Sequence, residues 1–469
     1  MHDVVTIATP CLGDRSYLVH DGSHGVVVDA QRDIGRFLAA ADDAGVRITH
    51  VVETHIHNDY VTGGYALARE TGAAYLVAAS EEVGFDRTPA RDGEPFGAGS
   101  LTVTPVHTPG HTPGHMSYLL AEGTGEPFAV FTGGSMLFGA VGRTDLVSPD
   151  QTDHLTRAQY RSVRRLAGEL PDEAAVYPTH GFGSFCSATP TSGDSSTIGR
   201  ERLANTALRL ADEDTFVKEL LAGLTAYPAY YAHMGTANRA GPAAADLTAP
   251  APASPAGLRQ RIEAGEWVVD LRSRRAFASL HVAGTVSVEL GDPFATYLGW
   301  VLPWGTPLTL VGESPEQVAQ AQLQLARIGI GPVPAAATGP VTELAGGRAG
   351  SYPVTDFPGL ATAWASGGRA SASGGRAPGR AGLVVLDVRR PDEWQAGHLA
   401  GALHIPFWEL AGRAGEVPPG QVWVHCASGF RASIGASVLD RAGRDVVHVD
   451  DAWARAAEAG LPVTPAAPD

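Results

Sequence analysis

Thr54-His55-Ile56-His57-Asn58-Asp59-Tyr60-Val61-Thr62-Gly63-Gly64 is the stretch that decides the fold. It follows Ile48-Thr49-His50-Val51-Val52, an apolar run that reads as a buried strand. The two glycines then open a helical stretch, Tyr65-Ala66-Leu67-Ala68-Arg69-Glu70. Two imidazoles and a carboxylate at the end of a strand, projecting from one short loop, are the ingredients of a metal site.

Further histidines follow at strand ends. The run Leu101-Thr102-Val103-Thr104-Pro105-Val106 leads to Thr108-Pro109-Gly110-His111-Thr112-Pro113-Gly114-His115. Pro127 to Thr132 runs into Gly133-Gly134-Ser135, and Ala174 to Tyr177 into Pro178-Thr179-His180-Gly181. His55, His57, His111 and His180 therefore lie where a site at one edge of a sheet sandwich needs them, whereas His2, His20 and His154 read as packing or surface residues. His115 reads equally as a support for the site or as a turn cap. Cys186 reads as a buried structural thiol close to the site.

At 469 residues the chain exceeds one core, and two to four domains are expected. No apolar run reaches the length of a membrane span, and the N-terminus lacks a secretory pattern. The net charge of -16 disfavours nucleic acid and anionic membrane as partners. Three dispersed cysteines, Cys11, Cys186 and Cys426, make no disulfide framework and fit a reducing, cytoplasmic setting.

Ala240 to Gly257, rich in Ala and Pro, reads as a semi-rigid linker. Ser366 to Gly382 has almost nothing to bury and reads as a disordered loop. Between and beyond them lie two similar segments. One holds Val269-Asp270-Leu271-Arg272 and then His281-Val282-Ala283-Gly284. The other holds Leu386-Asp387-Val388-Arg389 and then His398-Leu399-Ala400-Gly401. A strand ending in Asp-x-Arg, followed by His-x-x-Gly, is an internal repeat of α/β units.

In the second copy the strand Gln421 to His425 meets Cys426-Ala427-Ser428-Gly429-Phe430-Arg431, and a helix is expected over Ile434 to Leu439. A thiol on a loop feeding a helix N-terminus is biased toward thiolate, and Arg431 adds positive charge. The Cys-x4-Arg loop is one residue shorter than a Cys-x5-Arg phosphatase loop, which favours sulfur over phosphate. The first copy places Gly312 and Gln317 where the Cys and Arg would stand, and so lacks a nucleophile.

These motifs resemble the persulfide dioxygenase branch of the metallo-β-lactamase superfamily, in the form of bacterial fusions with rhodanese modules. The resemblance rests on His55-x-His57-x-Asp59, Pro109-Gly110-His111, Gly142-Arg143-Thr144-Asp145, Pro178-x-His180-Gly181 and the rhodanese-type loop from Cys426 to Arg431. It implies an α/β multidomain chain. An αββα sandwich over 1–242 would be followed by two rhodanese-like α/β domains with parallel sheets, 255–345 (inactive) and 352–467 (active, interrupted by the loop at 366–382).

The resemblance further implies one mononuclear metal ion, Fe(II) favoured over Zn(II), with His55, His57, His111, Asp59 and His180 as candidate ligands. It implies substrate contacts from Tyr60, Arg143 and Asp145 on the metal side, and from Ser428 and Gly429 around the catalytic Cys426 and Arg431. Partners would be thiosulfate and low-molecular-weight thiols and persulfides, with a homodimer compatible. Two departures stand out: the family's third ligand, an Asp, is replaced by Gly134, and Tyr60 replaces a second-site His. A glyoxalase II-like thioesterase and a catalytically degenerate metal domain therefore remain open beside the dioxygenase.

Overall fold

Val26, Val27 and Val28 face alternate sides of their strand, and that alternation builds the first part of the molecule. Val26 and Val28 join Tyr17, Val52, Leu101, Val103, Tyr118 and Phe131 in one core, whereas Val27 joins Leu18, Phe37, Val51 and Leu67 in another. A strand that is apolar on both faces must be covered on both. The computed structural model describes residues 2–189, 191, 193–371 and 382–465. The chain divides into two compact units, Met1–Asp246 with Leu325–Gly329, and Leu247–Gln324 with Ile330–Asp469.

In the first unit, one six-stranded sheet runs in chain order through Asp3–Thr9, Asp14–His20, His24–Val28, Arg47–Val52, Ala74–Ala78 and Thr88–Ala90. The other runs Ser196–Thr197, Ala175–Pro178, Ala129–Gly133, Met116–Glu122, Leu101–His107 and Phe96–Ala98. Their facing sides form the central core. Helices Gly35–Ala44 and Gly64–Thr71 cover the first sheet, and helices Thr152–Glu169 and Glu213–Ala222 cover the second. This is the expected αββα sandwich. The turns after Val52, His107, Gly133 and Pro178 hold the sequence-selected histidines and Gly134.

The second unit contains two five-stranded parallel sheets. The first is ordered Ala251–Pro252, Ala335–Thr338, Leu308–Gly312, Trp267–Asp270, Val286–Ser287, and the second Val354–Thr355, Val446–Val449, Gln421–His425, Leu383–Asp387, Leu403–His404. Numbered within each copy, both orders read first, fifth, fourth, second, third. The repeat extends to side chains. Arg272 and Arg389 each fold back on the Asp two residues earlier, with Nε to Oδ1 at 3.0 Å in both copies. His281 and His398 each direct Nδ1 to the carbonyl four residues earlier, at 2.9 and 3.0 Å.

Two expectations need correction. The Ala/Pro segment is not wholly a linker: Ala251–Pro252 pairs in parallel with Ala335 and Ala336, and Ser254 caps the helix beginning at Pro255. Ser366 to Ser371 belong to the helix Phe357–Ser371, so the loop expected over 366–382 does not start at Ser366; 372–381 lie outside the described residues. Among the described residues no helix is long and apolar enough to cross a membrane.

Candidate functional site

Four imidazoles converge at one edge of the sandwich. The His55 ring centroid lies 4.1 Å from that of His57, 4.7 Å from His111 and 5.2 Å from His180. All four side chains are buried. Hydrogen bonding settles which nitrogens hold free lone pairs. The Thr54 hydroxyl gives its one proton to Asp29 Oδ2 at 2.7 Å, so at 2.8 Å it accepts from His55 Nδ1. His55 Nε2 is left with its lone pair and meets His180 Nε2 at 3.3 Å. His111 Nδ1 donates to the Arg143 carbonyl at 2.7 Å, and its Nε2 has no partner. His57 places Nε2 3.2 Å from Glu53 and Asp29, and its Nδ1 has no partner.

Buried nitrogens with unmatched lone pairs are costly unless something occupies them. Two ligands each about 2.0–2.1 Å from a tetrahedral ion are about 3.3 Å apart, the separation seen between His55 and His180. The residues present therefore fit a metal ion. Four groups offer one donor atom per residue, each within 4.8 Å: His55, His57 and His180; His111, His180 and Cys186; Asp14, Asp59 and His180; and Asp29, Glu53 and His57. His180 is common to three of them, a more central position than the sequence suggested.

The carboxylates sit behind these rings. Asp29 is a hub, accepting from the Thr54 backbone and hydroxyl and from Thr179, and pairing with His57. Glu53 accepts from Tyr75 at 2.9 Å. Burial would push the His57 pKa down, but Asp29 and Glu53 carry it up to about 9. Burial likewise opposes the charged form of His180, yet Asp59 and Asp14 raise it well above the ordinary value. His55 is held neutral by burial, and His111 is pushed down to about 3 by burial and by His180. Asp59, a sequence candidate for metal ligation, lies with Asp14 on the Nδ1 side of His180, at 3.2 and 2.9 Å.

Gly134 stands where the family ligand Asp was expected, and the space is filled. A Cβ there would lie 2.2 Å from His111 Cδ2. His115 is a support: its Nδ1 lies 2.9 Å from the Thr108 hydroxyl, and its Nε2 accepts from the Gly134 N–H at 3.1 Å.

Three residues expected to touch substrate are committed elsewhere. The Tyr60 side chain is fully buried, its hydroxyl 2.9 Å from His57 Nε2 and 3.3 Å from the Asp29 carbonyl. Arg143 and Asp145 grip each other at 2.7 and 2.8 Å. The Arg143 guanidinium also donates to the Phe185 and Thr225 carbonyls and lies over Tyr227. These contacts hold Arg143 beside the Cys186 segment, to whose carbonyl its backbone N–H also bonds.

In the second unit, the strand Gln421–His425 delivers Cys426 into a loop that ends at the N-terminus of the helix Phe430–Arg441. The helix begins four residues before the expected stretch, so the loop is tight. Gly429 has φ of +87°, where a side chain is strained, and its N–H points to Cys426 Sγ at 3.2 Å. His448 Nε2 anchors the Gly429 carbonyl at 2.8 Å. Ser428 is exposed, while Cys426 is only 1% exposed.

Arg431 has a partner that the sequence reading missed: both terminal nitrogens grip Glu393, one at 2.7 Å. The other missed residue is Tyr297, from the helix Phe294–Val301 of the first repeat. Its ring lies 5.4 Å from Phe430, and burial pushes the pKa of its phenol up against the opposing charge of Arg431. The repeat gave Glu393 no signal, since Ala276 holds the equivalent place in the first copy, and Tyr297 had none either.

Residues 10–180 match the family described as the metallo-beta-lactamase superfamily. A hydroxyacylglutathione hydrolase of Brucella anthropi is 31% identical over 226 residues, which span 46% of this chain and 82% of that protein. The chain belongs to the metallo-β-lactamase superfamily. Residues 376–459 match the rhodanese-like domain, so the protein joins the two in one chain. Human mitochondrial persulfide dioxygenase ETHE1 is 26% identical over 211 residues, 45% of this chain and 74% of that protein. A solved metallo-beta-lactamase from Staphylococcus aureus superposes with a TM-score of 0.65 at 26% identity, covering 72% of this chain and 99% of that one. The chain spans 61% of the length of other hydroxyacylglutathione hydrolases that it matches.

Proposed function

We propose that the protein is a two-centre sulfur-handling enzyme, with a sulfurtransferase loop at Cys426 and a metal centre at His55, His57, His111 and His180 that processes a small thiol derivative. The rhodanese-like domain is read over 352–467 and a nucleophile-free copy over 255–345, following the metallo-β-lactamase-like domain over 1–242. The observation that carries the reading is Cys426 Sγ facing the Gly429 N–H at a helix N-terminus.

At that loop the Cys426 thiolate attacks the sulfane sulfur of thiosulfate. A new S–S bond forms, the old one breaks, and sulfite leaves with the electron pair. The backbone N–H groups and helix dipole hold the resulting persulfide anion. A small thiolate then attacks the outer sulfur, takes it as a persulfide and regenerates Cys426. Glu393 positions Arg431, and through it the loop.

At the metal centre the finer reading is oxidation of that small-molecule persulfide by O2 and water to sulfite and the free thiol. Its support is the likeness to ETHE1 and the sulfur chemistry of the same chain. A bound Fe(II) would supply a redox-active ion with open positions, and Zn(II) a Lewis acid that acidifies water. His55, His57, His111 and His180 would hold it. The carboxylates orient the rings: Asp29 acts on His57 directly and on His55 through Thr54, Glu53 acts on His57, and Asp14 and Asp59 act on His180. Burial of these groups keeps bulk water from the ring nitrogens. Thioester hydrolysis is the second reading, favoured by the likeness to hydroxyacylglutathione hydrolases.

Elemental analysis of anaerobically purified protein, paired with O2 uptake on glutathione persulfide, tests the metal half. About one iron per chain with persulfide-dependent uptake is expected. Zinc without uptake, together with turnover of an acylglutathione thioester, would replace the dioxygenase by the hydrolase.

A further inference from the structure

Cys186 lies at the metal centre itself. Its Sγ is within 4.8 Å of ligand atoms of His111 and His180, and its side chain is fully buried. The second observation is independent of the thiol: His111 Nε2 is buried, holds a lone pair fixed by the Nδ1 bond to Arg143, and has no partner. The third is the loss at Gly134. The ordinary carboxylate ligand is missing, and the His111 ring occupies the space where its Cβ would begin. A metal held at His111 and His180 thus lacks an anionic ligand from that direction.

We propose that Cys186 supplies that anionic ligand as a thiolate, so that the centre is an imidazole-thiolate site. This rests on the reading of a metal centre in this domain and adds the identity of its anionic donor. On binding, the S–H bond breaks, an S–metal bond forms and the proton leaves to solvent. The charge of a bound ion favours the thiolate over the thiol. The Ser184 hydroxyl, accepting from the Cys186 N–H at 3.2 Å, and the Arg143 N–H on the Cys186 carbonyl fix the residue's backbone. A sulfur donor favours Zn(II), Fe(II) or Co(II) over the hard ions Mg(II) and Mn(II).

Cobalt substitution of the full chain tests this. Apo protein loaded anaerobically with one equivalent of Co(II) should show a thiolate-to-cobalt charge-transfer band in the near ultraviolet. Cys11→Ala and Cys426→Ala should retain it, and Cys186→Ser should lose it while binding Co(II) about tenfold or more weakly. Should Cys186→Ser fail to fold, the cobalt X-ray absorption spectrum of the unmodified chain decides, with one sulfur neighbour at about 2.3 Å expected. Stoichiometric cobalt with no sulfur neighbour, or a band that survives in Cys186→Ser, would overturn the assignment and leave the imidazole centre standing. Failure to bind cobalt at all would overturn both.

Discussion

At the scale of single residues, Cys426 and Gly134 carry the sharpest tests. Cys426→Ala removes the only thiol of the rhodanese-like loop, and thiosulfate-to-thiol sulfur transfer should fall to background while metal content is unchanged. Glu393→Gln leaves the buried Arg431 with a neutral partner in place of a charged one. The loop should loosen, and sulfur transfer should drop about tenfold, measured as kcat at saturating thiosulfate. Gly134→Asp looks like repair of a lost ligand, but the geometry predicts damage. A Cβ 2.2 Å from the His111 ring must displace it, an overpacking cost of about 1–3 kcal/mol. Metal content should fall and the unfolding temperature with it; a gain of bound metal would show that the ring moves freely. The clustered histidines were legible because each follows a strand end, and strand ends are marked by local patterns. Tyr297 was not, since its approach to Phe430 joins positions far apart in the chain.

At the scale of elements, the end of the strand Leu383–Asp387 shows what a motif does physically. Asp387 and Arg389 are both buried and held by three contacts of 2.6 to 3.0 Å, while Arg389 also donates to the Gly397 carbonyl. The same fork recurs at Asp270 and Arg272, so Asp-x-Arg, first read as a repeat marker, is a clamp between a strand end and the following turn. The pair had been noticed in the sequence, but the clamp could not be, because both donor and acceptor face inward only once the sheet exists. Burial raises the Asp387 pKa, but His425 and Arg389 outweigh it and hold the group below the usual carboxylate range. Its folded value is therefore depressed. The stability it contributes is present above the ordinary value of about 3.9 and is lost as pH falls through the lower folded value. Asp387→Asn should flatten that acid limb. It should also cost about 3–5 kcal/mol at neutral pH by stranding a buried guanidinium, as denaturant titration would measure.

At the scale of the whole molecule, the fold class was readable because the strand patterns of two architectures differ. The sandwich was legible through the histidine motifs at strand ends and the resemblance they carry, and the parallel sheets in two copies of Asp-x-Arg followed by His-x-x-Gly. The linker was misjudged because composition does not reveal that Ala251 and Pro252 find a strand edge at Ala335 and Ala336. The proposed metal and thiol centres fall in different compact units, His111 in one and Cys426 in the other. That separation predicts independence. His111→Ala takes away a buried, unpartnered nitrogen whose only evident occupant is a metal ion, so bound metal should drop to a small fraction of one equivalent. Nothing in the Cys426 loop, its Gly429 anchor or the Glu393–Arg431 grip depends on that nitrogen, so kcat for sulfur transfer should stay within about twofold. Removing the metal from unmodified protein with a chelator should act in the same direction. It should lower the stability of the first unit, because binding free energy is lost only there, and calorimetry should show one transition shifting while a second stays put. If sulfur transfer instead collapsed on chelation, the two centres would be coupled, and Cys426 could no longer be treated as acting alone.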